Sequence, residues 1–310
     1  NAKAYIEETI QSILRQTYKE FELIIIDDGS KDNSFSICQK YAMKDTRISV
    51  IKKKNGGTCQ SRNEGLKYAK GEYIAFCDHD DIYEAELLEK SVEIAYKYNA
   101  DVVKFGCDEI YLNNRCVRKI ERRPDKEEFY ENGKIQEAIS KHKDWLFYWY
   151  IWDGIYKKEL FNTILFNETM HYGMEDADFN YRLFSKNPSF ACVPKVLYHH
   201  YIRGILNTSQ KFTKNKLDSL VVAAKQQKKM ISCLGMYDRD KIWVLREEGK
   251  WFTGILSTLE LKDCKLSFSE KKVVLHKYGR QLVPLLENKI NWYIYLKSDF
   301  KHCLVVWLFR

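Results

Sequence analysis

Two groups of carboxylates could do chemistry together: Asp78-His79-Asp80-Asp81, which follows the apolar run Tyr73-Ile74-Ala75-Phe76-Cys77, and Glu175-Asp176 far along the chain. An acidic cluster at the end of a buried strand offers hard oxygen ligands to a divalent cation, at the place where an α/β sheet would hold a diphosphate. A second carboxylate arriving from a distant segment could serve as a base on the other side of the reacting centre. Neither group could carry the chemistry alone. Each also has a structural reading: Asp80-Asp81 could cap a helix beginning near Glu84, and Glu175-Asp176 could mark a helix start, where the helix dipole favours acids.

The elements that must position these groups follow from hydrophobic spacing. Ile6, Ile10, Ile13 and Leu14 recur at helical spacing, and Phe21 to Ile26 reads as a strand ending in the turn Asp27-Asp28-Gly29-Ser30. A helix from about Ser34 to Tyr41, a strand Ile48 to Lys52, a Gly56-Gly57 loop, a helix Gln60 to Ala69 and the strand Tyr73 to Cys77 follow. Helix Glu84 to Tyr98 and strand Asp101 to Gly106 continue the series. This alternation, with strands apolar on both faces, predicts an α/β fold with a mostly parallel sheet covered by helices. The acidic turns at Asp27 and Asp78 then fall at the carboxyl ends of strands, the ligand-binding side. Beyond residue 110 the chain becomes polar and aromatic, with Trp145, Phe147, Tyr148, Trp149, Tyr150 and Trp152 close together. Such a group packs a core or stacks on sugar rings. A helix opening at Glu175 carries Phe179, Leu183 and Phe184 inward, a strand from about Lys195 to Tyr201 carries His199-His200, and helices follow from about Asn215.

With 310 residues, 45% of them hydrophobic, the chain can bury a large core, which excludes a disordered protein. Nine cysteines, odd in number and without a Cys-x-x-Cys pair, argue against a thiolate zinc site and for reduced thiols in a cytosolic setting. No leader-like segment opens the sequence, and the apolar run Cys303 to Phe309 is shorter than the roughly 20 residues that span a bilayer. The expectation is a cytoplasmic protein, soluble or peripheral on the inner face of the membrane. Residues 211–310 hold 20 Lys+Arg against 10 Asp+Glu, whereas residues 1–210 hold 31 against 33, so all the excess of the net +8 lies in the last third. Lipid headgroups, an anionic substrate or nucleic acid would suit that region, as would a plain solvated surface.

The ordered motifs resemble those of the inverting glycosyltransferases of family 2, which have the GT-A fold. They are Asp27-Asp28-Gly29-Ser30, Ser61-Arg62-Asn63-Glu64-Gly65-Leu66, Ala69-Lys70-Gly71-Glu72-Tyr73-Ile74, Asp78-His79-Asp80-Asp81, and Glu175-Asp176 with Phe179 and Arg182. One alone would be weak; five in order are specific. The resemblance covers residues 1–210, as a nucleotide-sugar half of about 1–110 and an acceptor half of about 111–210. It leaves 211–310 as a basic helical region. Family members usually begin with a further apolar strand, so this first strand is expected to be missing from the chain.

The resemblance implies a UDP-sugar donor, a saccharide or lipid-linked acceptor in surface polysaccharide synthesis, and metal-assisted single displacement with Mn2+ or Mg2+. It implies that Asp27 or Asp28 binds uracil, that Arg62 lies near the nucleotide phosphates, that Asp78 holds the ribose or assists the metal, and that Asp80 is the direct metal ligand. His200 or His199 would be a third ligand. Asp176 would be the catalytic base with Glu175 orienting it or the acceptor, and Trp152 would stack on the acceptor sugar. The basic C-terminal region would make peripheral membrane contact, with no nucleic acid partner. Simpler roles exist for each: an ordinary turn at Asp27, a surface salt bridge for Arg62, packed or solvated histidines, a structural Trp152. Two other classes compete, a sugar-nucleotide nucleotidyltransferase and a noncatalytic sugar-binding partner subunit. The first usually shows a Gly-rich basic loop, which is absent here, and the second would be expected to lose one acidic group.

Overall fold

The computed structural model describes residues 1–286 except 114, 115, 144, 146, 172 and 204–211. The apolar run from Cys303 and the end of the basic region lie outside the described residues. The first half alternates as the spacing demands: α1 (Ile6–Leu14), β1 (Leu23–Asp27), α2 (Ser34–Ala42), β2 (Ile48–Lys52), α3 (Thr58–Tyr68), β3 (Tyr73–Ala75), β4 (Ile82–Tyr83), α4 (Leu87–Tyr98) and β5 (Val102–Asn113). Then come β6 (Cys116–Arg122), β7 (Glu128–Tyr130), α5 (Ile135–Lys141), β8 (Gly154–Lys157), α6 (Glu175–Phe184) and β9 (Phe190–Ile202). Helices α7 (Lys214–Cys233), α8 (Met236–Arg239), α9 (Lys241–Leu259) and α10 (Phe268–Leu282) follow.

The fold is α/β, and its sheet is mixed. β1 pairs in parallel with β2, and β5 in parallel with β9, while β3, β4, β6, β7 and β8 join their neighbours antiparallel in a sheet of order β3-β8-β5-β9-β4, with β6 on β5 and β7 on β9. A hairpin such as β5–β6 needs only a tight turn, whereas a parallel pair such as β5–β9 needs a crossover, which the intervening strands and helices supply. β5 forms the spine: Val102, Val103, Phe105 and Cys107 are all buried, consistent with a strand covered on both faces.

Among the described residues β1 pairs with β2 and β3 pairs with β8, and the two sheets are separate. Between β1 and β3 lies a cavity of about 510 Å³ lined by Leu23, Ile25, Ile74 and Phe76, whose lining also reaches Asp28, Arg62 and Asp78. The site residues at the carboxyl ends of both strands therefore share one space.

The aromatic group is core. Trp145, Phe147, Tyr148 and Trp152 are at most 5% exposed, and Phe147 packs on Phe190 and Phe184 with ring centroids 4.6 and 5.5 Å away. Met230 and Ile231 of α7 and Trp243 and Val244 of α9 join this core. Leu217, Leu220, Trp251, Phe252, Ile255, Tyr278 and Leu282 form a second cluster shared by α7, α9 and α10. No helix among the described residues is long and apolar enough to cross a membrane.

Candidate active site

Arg62 stands at the centre of the cleft. Its helix α3 starts after Gly57, whose φ of +91° lies in the region open to glycine. Asn63, on the next position, is buried and clamps a distant loop: its Nδ2 donates to the Phe166 carbonyl and its Oδ1 accepts from the Phe166 N–H, both at 2.9 Å. With that loop fixed, the Arg62 guanidinium packs over the rings of Phe166 and Phe76, at 5.1 and 5.9 Å. Its Nη1 donates to Asp176 Oδ1, and its Nη2 lies 3.5 Å from Asp78 Oδ1. The structure thus brings the two acidic groups together across one cation.

Asp176 sits in the first turn of α6, and its Oδ2 also accepts from the Ile151 N–H at 3.3 Å. The residue before the helix, Met174, has φ +68°, a left-handed conformation that costs a non-glycine residue roughly 1–2 kcal/mol. Such strain is stored where the surroundings over-determine the backbone, and here it sets the direction in which Glu175 and Asp176 leave the loop. Glu175 is pushed above the usual carboxylate range by burial and by Asp176, against the pull of Arg62. Its Oε2 is buried and has no hydrogen-bond partner among the described residues.

In the other acidic group the four residues divide their work. Asp78 keeps 40% of its side chain exposed, yet desolvation in the cleft, opposed by Arg62 and reinforced by Asp81 and Asp176, pushes its carboxyl up to about 6. Asp81 is fully buried and structural: it accepts from Tyr198 Oη at 2.8 Å and the Tyr201 N–H at 2.9 Å, and His200 Nδ1 lies 2.8 Å from it. Asp80 pairs with Arg203 at 3.0 Å. The helix-cap reading fails for both, since Ile82–Tyr83 pairs with β9 as β4 and α4 starts only at Leu87.

Adjacent residues of a strand face opposite sides, and that separates the two histidines. His200 faces the acidic group and is raised above its ordinary value, burial being outweighed by Asp81, Asp78 and Asp80. His199 faces away, with Nδ1 3.0 Å from Asp108 and Nε2 2.7 Å from Glu84. The expectation that His199 could join a metal site is therefore corrected. So is that of Trp152 stacking on a sugar: it is 2% exposed and stacks on Tyr150 and Tyr198, each at 4.5 Å.

At the end of β1, Asp27 is buried, and Asp28 accepts from Lys53 Nζ at 2.6 Å and from the Gly56 and Gly57 N–H groups at 2.8 Å. Burial alone would raise the Asp28 carboxyl, but these donors hold it below its usual value. Arg182 pairs with Asp178 and donates to the Leu165 carbonyl, a structural task.

Sequence reading missed Lys104. It is fully buried in β5, pairs with Asp153, and donates to the Tyr150 carbonyl at 2.6 Å, which also accepts from Asn180 Nδ2 at 2.7 Å. Burial pushes Asp153 up to about 7 against the pull of Lys104, and lowers Lys104 against the pull of Asp153. The pair holds the Tyr150–Ile151 segment whose N–H meets Asp176. A lysine inside the apolar run Val102-Val103-Lys104-Phe105 was the available signal. Among the described residues, the side chains that come together at metal-ligand spacing are Glu128, His142 and Cys192, with ligand atoms within 4.8 Å of one another at the other end of β9. Glu128 already takes Lys141, Tyr130 at 2.6 Å and His142 at 3.0 Å.

A cleft lined by carboxylates at the ends of β1 and β3 faces a further carboxylate pair on α6 within an α/β fold. The sequence profile of Glycosyl transferase family 2 matches residues 1–165, and the chain belongs to that family. It is 32% identical over 200 residues to EpsJ of Bacillus subtilis, an uncharacterized glycosyltransferase, covering 64% of this chain and 57% of EpsJ. It is 31% identical over 225 residues to the glycosyltransferase GlyG of Streptococcus pneumoniae, covering 67% of this chain and 70% of GlyG. The chain thus spans little more than half of EpsJ. The crystal structure of S. aureus TarS 1-349 in complex with UDP-GlcNAc superposes with a TM-score of 0.61 at 19% identity, covering 98% of this chain and 87% of that one. At that identity the likeness is one of fold: a GT-A-like α/β domain with a helical C-terminal region.

Proposed function

We propose that the protein is an inverting glycosyltransferase that moves a sugar from a UDP-sugar to a hydroxyl of a saccharide or lipid-linked acceptor in surface polysaccharide synthesis. The observation that carries this reading is the convergence of Asp78 and Asp176 on the two nitrogens of one Arg62 guanidinium. The complexes of TarS with UDP and UDP-GlcNAc support a uridine diphosphate donor.

At the donor end, Asp28 lines the cavity beside β1 and would hold uracil together with Asp27. Asp80 and Asp78 would supply carboxylate oxygens, and His200, which feels the charge of both, an imidazole; these ligand types suit Mn2+ or Mg2+, though among the described residues they are not drawn to mutual ligand distance as Glu128, His142 and Cys192 are. A bound cation supplies Lewis acidity, offsetting the negative charge that grows on the departing diphosphate. Arg62 adds a guanidinium suited to phosphate oxygens.

At the acceptor end, Asp176 takes the proton of the attacking hydroxyl as its oxygen bonds to the anomeric carbon. The bond from that carbon to the diphosphate oxygen breaks, and its electron pair leaves with UDP. Attack opposite the leaving group turns an α-linked donor into a β-glycoside. Glu175, whose Oε2 has no partner among the described residues, would orient the acceptor or Asp176.

Residues 1–210 would form the transferase domain, with donor and acceptor halves near 1–110 and 111–210, and residues 211–310 an appended basic region. The exposed face of α10 supports peripheral contact with the inner face of the membrane: Phe268 and Val273 are 86% and 68% exposed among Lys272, Lys277 and Arg280. A screen of nucleotide sugars for Mn2+-dependent hydrolysis tests the transferase reading without knowledge of the acceptor. Release of UDP from a UDP-sugar supports it, and inertness toward every UDP-sugar contradicts it.

A further inference from the structure

We propose that Arg203 is a further donor-site residue: it holds Asp80 while cation and nucleotide are absent, and turns its guanidinium to the diphosphate when Asp80 binds the cation. This rests on the reading of Asp80 as a cation ligand.

Arg203 Nη1 donates to Asp80 Oδ2 at 3.0 Å and contacts the Tyr201 carbonyl at 3.5 Å. Both members of the pair are largely buried, with side chains 13% and 19% exposed. The contact uses one nitrogen of the guanidinium, so it lacks the two-point grip that makes arginine–carboxylate pairs strong. Among the described residues, Nε and Nη2 have no acceptor. The guanidinium is held by its faces, with its carbon 4.2 Å from the centre of the Tyr5 ring and 4.7 Å from that of Tyr201. Ring contacts of this kind keep a cation in place without using its N–H donors. Arg203 can therefore release Asp80 and remain in the cleft.

The charges set the order of events. A guanidinium beside Asp80 repels a divalent cation and competes with it for the same carboxylate. A diphosphate removes the conflict by accepting from the unused Nε and Nη2 donors. Arg203 thus makes cation and nucleotide bind cooperatively, each weaker alone than together.

The test is the binding of Mn2+, measured by electron paramagnetic resonance with and without UDP, and of UDP by calorimetry at saturating Mn2+. Arg203→Gln should bind Mn2+ alone about threefold to tenfold more tightly, the range of one partly buried ion pair removed. It should bind UDP with Mn2+ about tenfold more weakly. Arg203→Lys, which keeps the charge but loses the forked donors, should weaken UDP binding with a thermal midpoint like that of the parent. Unchanged or weaker Mn2+ binding by Arg203→Gln, or UDP affinity unchanged in both variants, overturns the proposal. Asp80→Asn separates the two levels of inference. If it binds Mn2+ as the parent does, the cation-ligand reading falls; if it loses Mn2+ while Arg203→Gln behaves as the parent, only the role of Arg203 falls.

Discussion

Arg62 and Asp176 meet through Nη1 and Oδ1, although 114 positions separate them in the sequence. The same guanidinium lies 3.5 Å from Asp78, so a single side chain ties together the two acidic groups on which the proposed chemistry depends. Its charge is favoured by Asp176, Asp78 and Glu175 against the burial that opposes it. A donor diphosphate would compete with both carboxylates for the same guanidinium.

Arg62→Lys keeps the charge but replaces the planar fork with a point charge. UDP affinity should fall by about tenfold or more, the worth of a charge-assisted hydrogen bond. Calorimetric titration at saturating Mn2+ checks this, and an unchanged affinity would remove Arg62 from the donor site.

The Lys104–Asp153 pair makes a prediction about stability. Lys104→Met leaves Asp153 buried without its cation, which should cost about 3–5 kcal/mol. The double variant Lys104→Met with Asp153→Leu leaves no charge unpaired and should recover most of that loss. Urea unfolding of the three proteins decides it, and a double variant no better than the single one contradicts the account.

Glu128 gives the fold an acid-sensitive element. Burial would raise its carboxyl, but Lys141, Tyr130 and His142 hold it near 2, below the ordinary 4.5. A carboxyl depressed in the folded state stabilises the fold above its unfolded value and loses that contribution as pH falls from 4.5 toward 2. Glu128→Gln should therefore lower stability at pH 7 by up to about 3 kcal/mol, with the difference from the parent shrinking as the pH falls below 4.5. Urea midpoints from pH 7 down to about 3 read this out. A difference independent of pH would mean that packing, not charge, is at stake.

Much of the site was legible because its residues sit where local pattern changes. Asp27-Asp28 and Asp78 end apolar runs, and Glu175-Asp176 opens an amphipathic helix, so the sequence marks both the residue and its position. What escaped depended on pairing between distant segments. The strand expected over Asp101 to Gly106 runs on as β5 to Asn113, because the acids Asp108 and Glu109 within it are buried, with Lys119 and His199 on Asp108 and with Arg122 and Tyr150 on Glu109. β6, β7 and β8 are short or polar, and their identity lies in the partners they find. Trp152 and His199 carry the right chemistry, but burial and strand alternation turn them to other tasks.

The exposed face of α10 should bind anionic bilayers. With each surface lysine or arginine worth about 1 kcal/mol near such a surface, the protein should sediment with phosphatidylglycerol-containing vesicles at low salt and be released at high salt. Phe268→Asp combined with Lys272→Glu and Lys277→Glu should abolish sedimentation while leaving the thermal midpoint nearly unchanged, since all three side chains point to solvent. Vesicle binding that survives these changes would place the contact elsewhere.

The central claim is that Asp176 is the base and that donor binding is a separate task. Asp176→Asn keeps the shape of the side chain and removes the proton acceptor. Transfer to an acceptor, measured with the UDP-sugar that the hydrolysis screen identifies, should fall by about 10²–10⁴-fold, while Mn2+-dependent UDP binding stays within a few-fold of the parent. Transfer at the parent rate, in a variant that still binds UDP, would contradict the account.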